Sequence, residues 1–180
     1  MQNQIIIKMT KYVLVVMFIL GFGCSIFEDD EELSMQCREY MGNKLRTDGY
    51  YYYFWFDGMN QEYINVCCFY QNGIFRWCGS STSFQDFENN IDIINKSKQY
   101  KNRWGVFLIE NNVVKYEKWD GARALEPYRT RIYAGKILND TTFHITESYR
   151  PNGKERSIKD EIYHFRQFSP KPDSTNIYIK

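Results

Sequence analysis

The chain has 180 residues, with 23 Lys and Arg against 22 Asp and Glu and a formal net charge of +1. That balance leaves no basic excess to hold a phosphate backbone, which excludes nucleic acid as an expected partner. The length suits one domain with a real core, and an aromatic share of 18% favours strands, because such side chains fit a pleated, half-buried surface.

Lys8 and Lys11 precede YVLVVMFILGFG, twelve uncharged and mostly apolar residues. Even counted from Tyr12 to Phe27 the run is 16 residues, short of the roughly 20 that a membrane-spanning helix needs. A charged start, an apolar middle and small residues at the end fit a secretory signal. The end itself, Leu20-Gly21-Phe22-Gly23-Cys24-Ser25, resembles the lipobox of bacterial lipoproteins. Gly23 matches the small residue before the cut, and Leu20 stands one place earlier than that family's leucine. The resemblance implies that residues 1–23 are removed and that Cys24 is lipidated. It also implies a chain held at the cell envelope, at the outer membrane, by fatty chains. An ordinary secretory cut, or an uncleaved anchor or core helix, remains open.

Removing residues 1–23 leaves 157 residues with 21 cations and 22 acids. The acidic run Glu28-Asp29-Asp30-Glu31-Glu32 fits a solvated linker, since like charges repel. It also resembles the acidic tag that directs some Gram-negative lipoproteins to the cell surface. Residues 24–45 are therefore expected to be an acidic tether, with a short helix around residues 32–41, and residues 46–180 to be the folded domain.

Asp48-Gly49 marks the first turn. YYYYFWF, residues 50–56, is apolar on both faces and must be covered on both to escape aggregation. Three hairpins follow, each with a two-residue turn suited to positive φ. Turning at Asn72-Gly73 pairs Tyr70 with Phe75, Cys68 with Trp77 and Cys67 with Cys78. The face carrying Val66, Cys68, Tyr70, Phe75 and Trp77 then looks into the core, and a Cys67–Cys78 disulfide is geometrically open, though somewhat strained. In SSTSFQDFENNIDIINK, Phe84, Phe87, Ile91 and Ile94 form a helical stripe. This predicts one helix over 84–95, capped by Ser83 with Asp86 at its third position. Turning at Asn111-Asn112 pairs Phe107 with Tyr116 and Ile109 with Val114, and brings Trp104 and Trp119 together on the other face. The third hairpin turns at Asn139-Asp140. A looser connection at residues 150–153 leads to a strand around 161–168, and one short strand closes the chain.

Eight or nine antiparallel strands in a meander, with one helix, predict a mainly β chain that closes on itself to remove its edges. The pattern resembles the lipocalin-like β-barrels of bacterial envelope lipoproteins; a β-sandwich is the alternative. Gly49-Tyr50-Tyr51 stands where lipocalins carry a Gly-x-Trp signature, so no ligand identity carries over.

Chemistry is hard to find. His144 and His164 read as ordinary strand residues. There is no nucleophile elbow, no phosphate loop and no cysteine spacing of metal type. The expectation is a non-enzymatic protein without cofactor or metal. Cys37, Cys67, Cys68 and Cys78 allow disulfides in an exported chain. Tyr52, Tyr70, Phe75, Trp77, Phe107 and Tyr116 are the expected inward aromatics. They either fill the barrel or line a pocket for a small apolar or amphipathic ligand. With a filled barrel, the expected partner is instead another envelope protein.

Overall fold

The computed structural model describes residues 29–121 and 126–180. The signal segment and Cys24 lie outside the described residues. Eight strands form one antiparallel meander closed into a barrel of the lipocalin-like type. They are β1 (Gly49–Phe56), β2 (Glu62–Phe69), β3 (Ile74–Ser81), β4 (Trp104–Glu110), β5 (Val113–Trp119), β6 (Thr130–Asn139), β7 (Thr142–Tyr149) and β8 (Ser157–Gln167). Closure runs through β1 and β8. Between β3 and β4 lie α1 (Phe84–Asn89), α2 (Ile91–Lys96) and two 3-10 turns, Ser97–Gln99 and Lys101–Arg103.

Side-chain alternation along the strands splits the core into two layers. The barrel interior takes Tyr51, Phe69, Phe75, Phe107, Tyr116 and Phe143, among others. A second layer lies on the outer wall, where Tyr50, Val66, Cys68, Trp104 and Trp119 pack beneath Phe87 and Ile94 of the helices and Tyr178 of the C-terminal tail. This explains the doubly apolar YYYYFWF. Tyr50 and Tyr51 are both buried, one in each layer, and only Phe54 and Phe56 emerge toward solvent.

Asn111 and Asn112 both adopt positive φ (50° and 62°), as a type I′ turn requires. The pairs Phe107↔Tyr116 and Ile109↔Val114 form as the sequence predicts. The first hairpin differs. Gly73 has φ 82° and its N–H donates to Tyr70 O at 3.0 Å, so the turn takes in Gln71, Asn72 and Gly73. The extra loop residue slips β2 by one, and a slip of one moves every side chain to the other face. Phe69 faces Phe75 and Cys67 faces Trp77. Cys67 and Phe69 therefore point inward while Cys68 and Tyr70 point outward. The third turn moves one residue as well, with Asn139 opposite Thr142. The Asn139 side chain causes this by accepting from Thr141 N–H at 2.9 Å and Thr141 Oγ1 at 2.8 Å, a local turn of its own.

The helical stripe breaks at Asn90 into two six-residue helices rather than one. Ser83 caps the first by accepting from Asp86 N–H at 3.1 Å. The Asp86 carboxylate is engaged by Ser81 and Asn90. No strand closes the chain; residues 169–180 lie as irregular backbone, with Tyr178 and Ile179 packed on the outer layer.

The described part of the expected tether, residues 29–45, is instead a strap on the barrel wall. Glu31 N–H donates to Tyr128 O at 2.9 Å, and the Trp119 indole donates to Glu31 O at 2.7 Å. Glu117, fully buried, accepts from Ser34 Oγ at 3.0 Å and Met35 N–H at 2.7 Å. Tyr40 N–H then bonds Gln71 O at 2.6 Å. Residues 32–41 form no helix, because these bonds draw the backbone out along the strands. Leu45, buried in the interior, and Tyr40, against Phe107 at 5.5 Å, plug the barrel end from which the 70–73 and 111–112 turns project.

Candidate functional site

The opposite end of the barrel is open. The β1–β8 seam pairs over four residues and the β3–β4 seam over three. Both seams lie toward the plugged end, so the strands spread at the other. There a cup of about 190 Å³ enters the interior. Its floor and walls are aromatic. Phe75, Tyr116 and Tyr133 form a slipped stack, with centroids 4.2 and 4.8 Å apart and planes within 10° of parallel. Tyr163 stacks on Phe143 at 4.6 Å and meets Tyr53 at 4.7 Å. Trp77 completes the wall, with the Arg103 guanidinium 4.3 Å above its ring.

Polar groups ring the mouth. Lys118 continues the inward column of Val114 and Tyr116 on β5. Its ammonium lies 5.6 Å from the Trp77 ring and 5.7 Å from Tyr133, and burial pushes its pKa down against the nearby Asp120 charge. Asp120, 3.5 Å away, is also 3.1 Å from Arg131 and 3.6 Å from Arg150. Glu155 pairs with both arginines, at 3.0 and 3.1 Å. Three cations thus share two carboxylates, and Lys118 is the least compensated. Across the cup, Tyr163 OH donates to Glu161 at 3.2 Å, and Lys159 lies 3.6 Å from the same carboxylate. Asn65 Nδ2 donates to Tyr53 OH at 2.9 Å. Burial raises the Tyr116 and Tyr163 phenols well above their ordinary pKa. They therefore stay neutral, 3.4 Å apart; with the Tyr163 proton committed to Glu161, Tyr116 is the phenol left to donate to a guest.

Of the six aromatics expected inward, Phe75, Trp77 and Tyr116 line this cup and Phe107 packs deeper toward the plug. Tyr52 and Tyr70 correct the expectation. Tyr52 lies on the outer wall against Phe84 at 4.6 Å. Tyr70 went outward with the slipped β2, where its hydroxyl donates to Pro172 O at 2.5 Å. The disulfide expectation is corrected for the same reason. Cys67 is in the interior and Cys78 in the outer layer, and all four described cysteines are free thiols. Lys118, Tyr133 and Tyr163 were missed by sequence reasoning. The signal for Lys118 was present, since it falls at i+2 from Tyr116 on a strand whose inward register was known.

His144 and His164 both face outward, beside inward Phe143 and Tyr163. His144 meets the exposed Asp160 at 2.8 Å and His164 lies 5.9 Å from the Tyr52 ring. Among the described residues no group of three or more His, Cys, Asp or Glu side chains is placed to hold a metal. No described helix is long and apolar enough to cross a membrane.

Comparison with known proteins finds no match. No family model, curated protein or solved structure aligns significantly with the chain.

Proposed function

We propose that this chain is a lipid-anchored, non-enzymatic envelope protein whose barrel takes a small amphipathic anion in its open mouth. The anchor rests on the lipobox-like Leu20–Ser25 stretch with Cys24 as the acylated residue. The binding reading rests on one observation: an aromatic cup with an under-compensated, desolvated Lys118 at its rim. A hydrophobic guest gains from the stacked rings, and an anionic head gains from an ammonium already stripped of water. The cup is smaller than the roughly 300 Å³ at which drug-sized pockets begin. It suits a compact guest, or the head of a longer amphiphile whose tail stays outside.

Calorimetric titration of the full chain with benzoate, hexanoate and benzylamine tests this. The two carboxylates should bind, benzylamine should not, and Lys118→Met should weaken carboxylate binding by about 10-fold or more, the value of a hydrogen bond to a charged group. Absence of carboxylate binding at millimolar concentration, or equal binding of benzylamine, overturns the reading. Separately, Cys24→Ala should move the chain from the membrane to the soluble fraction.

A second reading, docking of another envelope protein on the outer wall, draws on exposed Phe54, Phe56 and Ile162. It expects no binding by any of the three probes.

A further inference from the structure

The outer layer holds a pair of cysteines that the barrel mouth does not use. Between Val66↔Gly79 and Cys67↔Trp77 the ladder is irregular, and Cys78 is the extra, unpaired residue. Such a bulge re-aims its side chain. Cys78 Sγ comes within 3.6 Å of Cys68 Sγ on the neighbouring strand. Both sulfurs are buried, but not equally reachable. Cys68 is sealed, whereas Cys78 forms the base of a surface pocket of about 260 Å³ between β3 and the two helices.

A buried cation, Arg76, and a half-buried one, Lys171, flank the pair. Arg76 is fully buried, bonded only to Ile94 O, Asp173 O and Asn95 Oδ1, with its Nε lacking a partner. Lys171 donates to the carbonyls of Phe69 and Thr47. Neither has a carboxylate within ion-pair distance among the described residues. Cations drawn out of water without a paired anion are costly, and among the groups acting on Lys171 the Cys68 and Cys78 sulfurs come ahead of the Asp48 carboxylate, so a thiolate there offsets the cost. The hydrogen bond from Cys78, and then Lys171 and Arg76, hold the Cys68 thiol below its ordinary pKa despite burial.

We propose that Cys68 and Cys78 are a redox-active dithiol, oxidised by small disulfides that enter the pocket beside Asp86 and Arg103. Burial and the neighbouring Cys68 hold the Cys78 thiol above its ordinary pKa, so the resting thiolate is on Cys68, and Cys78 becomes the nucleophile by passing its proton across the 3.6 Å contact to that thiolate. As thiolate, Cys78 attacks one sulfur of the small disulfide. Its S–S bond breaks, one small thiolate leaves, and Cys78 carries a mixed disulfide. The Cys68 thiolate then attacks the Cys78 sulfur, forming the Cys68–Cys78 bond and expelling the second small thiolate. Two protein thiols are oxidised, one small disulfide is reduced to two thiols, and the protons lost by the cysteines go to the departing thiolates. Cys67, on the other face of the same strand, takes no part.

The test is oxidation of the folded full chain with oxidised glutathione, followed by unfolding, alkylation and peptide mapping. The expected product links Cys68 to Cys78 and leaves Cys67 alkylated. Cys68→Ser should accumulate the glutathione mixed disulfide on Cys78, having lost the resolving sulfur. Cys78→Ser should react at least 10-fold more slowly, because Cys68 is sealed. The proposal is overturned if the wild-type chain yields no Cys68–Cys78 bridge, or if Cys67 bridges in its place. The wild-type map decides this without either variant.

Discussion

Glu117 shows how one buried carboxylate can organise a surface. It sits on β5 one residue before Lys118, yet it points outward and receives the strap through Ser34 and Met35. One of its oxygens is satisfied twice, while Oε1 is buried with no partner. Glu117→Ala removes the acceptor and leaves the Met35 N–H unpaired under the strap. We expect a loss of about 1–3 kcal/mol, the cost of a buried donor left without an acceptor, read from the urea unfolding midpoint. Nothing in the sequence announced this role. Glu117 stands in VVKYEKW with the alternation of an ordinary solvent-facing residue, and only the strap turns that face inside. Phe107, Tyr116 and the Asn111-Asn112 turn were legible because the turn chemistry fixed the register. Tyr52 and Tyr70 were not. Tyr70 turned on whether Asn72-Gly73 closes a two- or a three-residue loop, and the composition permits both. Tyr52 lies in a run apolar on both faces, where alternation carries no sign.

At the scale of elements, the strap is the least expected part. Five consecutive acids predict an extended, solvated chain, and charge repulsion does argue that way. The prediction fails because cations await them. Lys101 holds Asp30 at 2.9 Å and lowers its pKa. Burial works against Glu31, but the Thr130 N–H and Arg129, with Arg150 nearby, still hold it low. A carboxylate whose folded pKa lies below its unfolded one contributes stability that is complete above the unfolded value. That stability is lost as pH falls through the folded value. The strap should therefore stay docked at neutral pH and release only in acid, as pH falls below the ordinary Glu31 value of 4.5 and through its lowered folded value. Trp119, which bonds Glu31 O, is a convenient reporter. Its fluorescence should change in that acid window before the barrel unfolds, and Glu31→Gln should move the change to higher pH. Unaltered Trp119 emission down to global unfolding would falsify this view of the contact.

At the scale of the whole molecule, the closed meander was legible from hairpin spacing, since a single antiparallel layer removes its edges only by closing. What the spacing could not show is that the barrel is asymmetric along its axis. Leu45 and Tyr40 close one end, and their place depends on contacts more than twenty residues away in sequence. Leu45→Ala should cost about 2–5 kcal/mol, as a buried Leu truncation does when its surroundings cannot collapse. If the plug and the cup are separate parts of one interior, that variant should lower the denaturation midpoint and leave carboxylate affinity within about twofold. A large change in affinity would mean that the two ends communicate through the aromatic column.

The strap's direction has one further consequence. Its first fixed points, Asp30 and Glu31, lie beside Trp119, Tyr128 and Thr130, at the same end as the open mouth. Cys24 is separated from Asp29 by five peptide steps, a reach of at most roughly 18 Å even fully extended. Under the proposed acylation of Cys24, that reach would bound how far the barrel strays from the bilayer, and the mouth rather than the plugged end would be the end nearest it. An amphiphile could then pass between lipid and protein without crossing bulk water.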